Sequence, residues 1–309
     1  MVLLALAFTY GVGVGKREWF PHDLIKKIKY LASNTSAVAS NTSAVASNTS
    51  AVASNTSAVK FDSFWRLTYS SAHTEVSCPK QNENVGVIVA FGQSNSANHA
   101  EYKFSTAELS GVINYYDGRC YLAESPLLGA TGADGEWIAL TAKKLIDEGV
   151  YEKVIVVSSG IGGTPIERWA DGNDLNSMLL EVLQTLRNDY RVTDMVWHQG
   201  ESDRSDTHTE VYETYFLSML NSIKAVGINA PVFVSIASIC GAEGSWTYPN
   251  GVSDAQKRLI EVEGLELGVN TDEAVPIQLR YDKCHFGKAG QELAASELAN
   301  SIVTFHTTK

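Results

Sequence analysis

Two short strings far apart in the chain hold the residue types of an acyl-transfer site. Gly92-Gln93-Ser94-Asn95 follows the apolar, β-branched run Val85–Phe91. A serine beside glycine in a tight turn after a strand can project its hydroxyl with its own N–H free, which suits a nucleophile at the start of a following helix. The same placement suits an N-cap or turn serine. Asp282-Lys283-Cys284-His285 sits near the other end of the chain. At that spacing the carboxylate can hold one imidazole nitrogen, so that the other faces outward as a general base. Between them, Gly162-Gly163-Thr164 offers a backbone N–H with little steric obstruction, and Gln199-Gly200, within His198–Asp203, offers a side-chain amide. Charge develops on a carbonyl oxygen during acyl transfer, and losing one donor to it costs about 3–4 kcal/mol. Taken singly, each string also fits turn geometry or strand-end packing.

The elements that must carry these strings can be read from the apolar pattern. Val85–Phe91, Val154–Val157, Met195–Trp197 and Pro231–Ile236 are short apolar runs of strand length. Between them lie helical patterns over Trp137–Glu148, Leu175–Arg187, Val211–Val226 and Gly287–Val303, the first with Ile138, Leu140, Ala142, Leu145 and Ile146 on one side. Continuous apolar strands alternating with amphipathic helices predict a buried parallel sheet covered on both faces. Ligands of such sheets bind beyond the carboxyl ends of the strands, where the polar, glycine-rich strings fall.

The order GQSN, GGT-x-x-x-x-W, HQGESD, D-x-x-H over roughly residues 85–303 resembles the SGNH-hydrolase superfamily, in its sialate O-acetylesterase and carbohydrate esterase family six branch. The resemblance implies an α/β fold: a three-layer α/β/α sandwich with a parallel, flavodoxin-like sheet. It implies removal of O-acetyl groups from carbohydrates of acetyl-xylan, sialic acid or bacterial polysaccharide type through an acetyl-enzyme. Carried over, Ser94 is the nucleophile, His285 the base and Asp282 its orienter. The N–H groups of Ser94 and Gly163 and the Gln199 side chain form the oxyanion hole. Gln93, Asn95 and Glu201 bind substrate or order the site. Trp169 either stacks on a sugar ring or packs against the sheet. Ser96 stands where the branch often has a bulky apolar residue. No cofactor is implied, and His99, His198 and His208 lack the spacing of metal ligands. The rival from another class is a surface glycan-binding or adhesion protein that keeps the fold without turnover; the intact Ser, Asp and His set argues against it.

The chain has 309 residues and a formal charge of −11, from 24 basic and 35 acidic residues. That balance excludes a general nucleic-acid binder, which needs a basic face. Residues 1–60 run against it, with six Lys or Arg and two acids. Residues 1–15 are an apolar stretch followed by the basic, aromatic collar Lys16–Phe20, the pattern of an export signal or of attachment at a membrane interface; packing on the domain is the alternative. The heptad ASNTSAV then repeats four times from Ala32 to Val59, with a sequon at each of Asn34, Asn41, Asn48 and Asn55. So short a repeat of small and polar residues buries too little apolar surface to offset ordering entropy, and reads as a tether of about 30 Å. The expected organisation is a signal or anchor with its collar over 1–31, a repeat linker over 32–59 and one esterase domain over 60–309. Four cysteines behind an export-like start suggest two disulfides and a periplasmic or extracellular protein. Of the three pairings we expect Cys78–Cys120 and Cys240–Cys284, the second pinning the loop that carries His285.

Overall fold

A computed structural model of the chain describes residues 58–308; the expected anchor, its collar and the repeat as far as residue 57 lie outside the described residues. The strands are β1 (Val59–Phe61), β2 (Leu67–Ser70), β3 (Glu75–Val76), β4 (Val85–Gly92), β5 (Val112–Tyr116), β6 (Arg119–Leu122), β7 (Lys153–Ser158), β8 (Asp194–His198), β9 (Val232–Ile236) and β10 (Leu265–Asn270). The helices are α1 (Ile138–Asp147), α2 (Asp174–Leu186), α3 (Thr209–Ala225), α4 (Gly251–Leu259), the single turn α5 (Thr271–Ala274) and α6 (Lys288–Thr308).

The main sheet has the order β10-β9-β8-β4-β7-β5-β6-β3, and β1 pairs with β2 alone. Strands β4, β5, β7, β8, β9 and β10 run parallel to their neighbours among these. Without the β5–β6 hairpin, the parallel strands lie in the doubly wound order 2-1-3-4-5, whose switch point falls between β4 and β8. This is the expected three-layer sandwich with one correction: the sheet is mixed, because β6 and β3 add an antiparallel edge. The hairpin turn is Asp117-Gly118, both at positive φ (48° and 77°). That is the Asp-Gly dipeptide which suits a two-residue turn between strands. A smaller correction is that Val59, the last residue of the repeat, already belongs to β1.

Strand β4 shows how the layers form. All eight residues are buried, and alternate side chains leave opposite faces of a strand. Val85, Val87, Val89 and Phe91 join the core formed with α2, α3 and α4. Ile88 and Ala90 join the core formed with α1 and α6. Because both faces are filled, the only polar outlets of the central strands are their ends. Helix α1 starts with its Ala139 N–H donated to the Glu136 carboxylate (2.7 Å), satisfying one of the donors every helix leaves open. Both expected disulfides, Cys78–Cys120 and Cys240–Cys284, are formed.

Candidate active site

The switch point holds the strings singled out in the sequence. Strand β4 ends at Gly92 with φ +126°, so close to β8 that a Cβ there would lie 2.2 Å from the His198 carbonyl oxygen. Only glycine fits. The chain then turns through a one-turn 3-10 helix, Ser94–Ser96. Ser94 is 6% exposed, and its N–H has no protein acceptor among the described residues. The Gln93 side chain ties this turn to the loop after β8: its Oε1 accepts from the N–H groups of Gly200 (3.3 Å) and Ser202 (3.1 Å) and from Ser202 Oγ (2.7 Å). Asn95 ties it in two directions, its Nδ2 donating to Glu201 Oε1 (2.8 Å) and to the Cys284 carbonyl (3.3 Å). Its own carbonyl accepts the Trp137 indole N–H (2.5 Å). Gln93, Asn95 and Glu201 are each about 1% exposed and tie the Ser94 turn to its neighbours, with Asn95 Oδ1 and Glu201 Oε2 left without a partner among the described residues.

The bond from Asn95 to the Cys284 carbonyl sets the residue after Ser94 directly against the residue before His285. In that loop the His285 Nδ1–H donates to Asp282 Oδ2 at 2.7 Å, while Asp282 Oδ1 accepts the N–H groups of His285 (2.8 Å) and Cys284 (3.0 Å). Burial pushes the Asp282 carboxyl upward, but these three bonds outweigh it and hold the group at about 2. The carboxylate is ionised at neutral pH and holds the imidazole hydrogen on Nδ1, which leaves the Nε2 lone pair as the acceptor. Ser94 Oγ makes no hydrogen bond to His285 in this structure. Catalytic hydrogen bonds of empty sites often tighten only with substrate in place.

The donor loops divide. Gly163 has φ +75° and its N–H has no protein acceptor among the described residues. Gln199 departs from expectation: its Nε2 donates both hydrogens within the protein, to the Thr164 carbonyl (3.0 Å) and to Asp203 Oδ2 (2.5 Å). A primary amide has two N–H donors, so none is left for an oxyanion. Gln199 instead holds the Gly163-Thr164 loop at its distance from β8. Trp169 is likewise corrected away from sugar stacking. It is fully buried, donates Nε1–H to Thr164 Oγ1 (3.1 Å), and packs edge-on against Trp197 (5.5 Å between centroids).

Residues that the motifs did not flag complete the site. Arg280, 3% exposed, donates to four carbonyls: Nε to Val275 (3.0 Å), Nη1 to Ile239 (2.8 Å) and Cys284 (3.0 Å), and Nη2 to Thr271 (2.9 Å). It stands 4.0 Å from the buried Asp272 carboxylate. The signal was available, since a lone arginine among apolar residues two positions before Asp282 needs internal partners. Beneath the site, His198 is fully buried with Nε2 3.0 Å from Thr271 Oγ1 and Nδ1 3.7 Å from Glu201 Oε1. It is the buried strand-end histidine expected, but only half satisfied: Nε2 is bonded, while Nδ1 has no hydrogen-bond partner among the described residues.

Burial lowers the His198 imidazole from 6.5 to about 4. A depressed folded value means stability that is complete above pH 6.5 and lost as pH falls towards 4, because the unfolded chain binds the proton first. Glu136 works in the opposite sense, as burial raises it from 4.5 to about 7 and its contribution fades as pH rises through that range. The expected result is a wild-type advantage over His198→Gln that grows by about 3 kcal/mol from pH 4 to 6.5. Urea unfolding across that range measures it, and a pH-independent difference would refute the assignment.

A family model described as carbohydrate esterase, sialic acid-specific acetylesterase matches residues 122–304. The match contains Asp282 and His285 and begins after Ser94. No curated protein sequence matches the chain. Among solved structures, a protein of Arabidopsis thaliana aligns with a TM-score of 0.56 and 17% identity over 72% of this chain and 99% of its own. The protein NanS aligns with a TM-score of 0.54 and 13% identity over 74% and 99%. A carbohydrate acetylesterase from Xanthomonas citri aligns with a TM-score of 0.51 and 17% identity over 72% and 57%. At these identities the structures establish a shared fold.

Proposed function

Since the chain belongs to the sialic acid-specific acetylesterase family of carbohydrate esterases, we propose that this carboxylic ester hydrolase removes O-acetyl groups from sugars through an acetyl-enzyme on Ser94. The observation that carries the mechanism is the ionised Asp282 on His285 Nδ1, joined to the Ser94 turn by the Asn95 bond to the Cys284 carbonyl.

In the first half-reaction, Ser94 Oγ gives its proton to His285 Nε2 and attacks the acetyl carbonyl carbon. The oxyanion is met by the N–H groups of Ser94 and Gly163. Collapse breaks the bond to the sugar oxygen, which leaves with the proton held on His285. Water then gives a proton to His285 and attacks the acetyl-serine. The second collapse returns the proton to Ser94 Oγ and releases acetate. Asp282 stabilises the imidazolium in both halves and takes no proton itself.

The experiment is release of acetate by the full chain from acetylated xylan, O-acetylated sialic acids and acetylated bacterial polysaccharides, with 4-nitrophenyl acetate as reporter. Turnover of at least one acetylated carbohydrate is expected. Binding without acetate from any of them would instead favour the adhesion reading. The two disulfides suggest a periplasmic or extracellular protein, and among the described residues no helix is long and apolar enough to cross a membrane. In this reading residues 1–15 serve export or attachment, and the repeat spaces the catalytic domain from that point.

A further inference from the structure

On the reading of Ser94, Asp282 and His285 given above, we propose that His99 is a positioning residue which fixes the plane of the catalytic imidazole and couples it to the oxyanion loop. The His99 ring lies against His285 in an offset stack, with centroids 5.4 Å apart and planes 24° from parallel. Tyr281 lies near the same imidazole at 6.2 Å and 32°, and its hydroxyl donates to the His99 carbonyl (3.2 Å). The bond to Asp282 restrains one edge of His285 but leaves the ring free to swing about that bond. Rings packed against it remove the swing, and separations of this kind are those aromatic pairs prefer.

The other end of His99 reaches the oxyanion loop. Its Nε2 is 3.1 Å from Thr131 Oγ1, and the same oxygen accepts the Gly162 N–H at 2.7 Å. The Thr131 hydroxyl donates its one proton to the Gly160 carbonyl (3.4 Å). The His99 ring and the Gly162 N–H thus meet on one hydroxyl oxygen, which joins the imidazole to the oxyanion loop. Gly162 has no side chain where one would collide with this imidazole: a Cβ there would lie 2.8 Å from His99 Nε2. The next N–H along the chain is that of Gly163, the proposed oxyanion donor. A displacement of either end of His99 is therefore passed to the other, and misplacement of reacting groups by about 1 Å can cost about a hundredfold in rate.

The test uses hydrolysis of 4-nitrophenyl acetate, expressed per Ser94 titrated by a fluorophosphonate. His99→Ala is expected to lower kcat about tenfold with KM unchanged within about twofold. His99→Phe retains a ring without the hydrogen bond to Thr131, and His99→Gln retains a hydrogen-bonding group without the ring; each is expected to recover part of the loss. A merely structural role would lower the titratable fraction and the thermal midpoint while leaving kcat per titrated site unaltered. That result, or a loss confined to KM, overturns the proposal. If the unaltered chain neither turns over the ester nor reacts with the fluorophosphonate, it is the esterase reading that fails.

Discussion

Ser94→Ala is expected to lower ester hydrolysis by at least about ten-thousandfold while leaving the thermal unfolding midpoint nearly unchanged. The first part follows from the proposed chemistry. Without the hydroxyl no acetyl-enzyme forms, and the residual rate is what oriented donors and binding alone provide. The second follows from the structure, because among the described residues Ser94 Oγ makes no hydrogen bond, so its removal leaves none of their buried polar groups without a partner. The measurement is turnover of 4-nitrophenyl acetate and of whichever acetylated carbohydrate is hydrolysed, beside a thermal melt. A variant that stays within about tenfold of wild type would remove Ser94 from the mechanism and leave the family membership standing.

Arg280→Met is expected to have the largest effect on stability. Methionine fills much of the same space but has no donors. The carbonyls of Val275, Ile239, Cys284 and Thr271 would each lose a hydrogen bond, and the buried Asp272 its neighbouring cation. Removing one partner of such a buried pair costs about 3–5 kcal/mol, or on the order of 10 °C in melting temperature for a domain of this size. Activity should fall as well, since Arg280 Nη1 holds the carbonyl of the residue before His285. Arg280→Lys, with three donors in place of five, should fall between. A melting temperature within about 2 °C of wild type for Arg280→Met would show that the cluster contributes little.

The parts of this molecule legible in the sequence are those governed by local pattern. Val85–Phe91 is apolar throughout and rich in β-branched residues, the pattern of a strand buried on both faces, and the polar strings following such runs gather at one edge of the sheet. Spacing alone allowed Asp282 to hold His285 in the same loop, and the bond is there. What escaped depends on contacts made across the fold. Gln199 looked like a free amide because its acceptors are Thr164, on another strand's loop, and Asp203, one turn further on. Trp169 carries no mark in its neighbours to say that Trp197 and Phe91 close over it. His99 could be weighed only as a metal ligand until Thr131 and His285 were seen on either side of it. The β5–β6 hairpin differs, because its Asp117-Gly118 turn is a local signal and only its antiparallel place at the sheet edge depends on distant contacts.

The Cys240–Cys284 bond links the loop after β9 to the loop bearing the proposed base. The Gly241 N–H also donates to the Lys283 carbonyl (2.8 Å). The compartment in which the protein is made thus enters its chemistry. Material produced in a reducing cytosol would carry thiols at 240 and 284 and rely on that hydrogen bond and Arg280 to keep the imidazole in register. Specific activity of such preparations should fall as the number of free thiols per molecule rises, and a colorimetric thiol assay beside each activity measurement tells a poorly oxidised batch from an inactive enzyme.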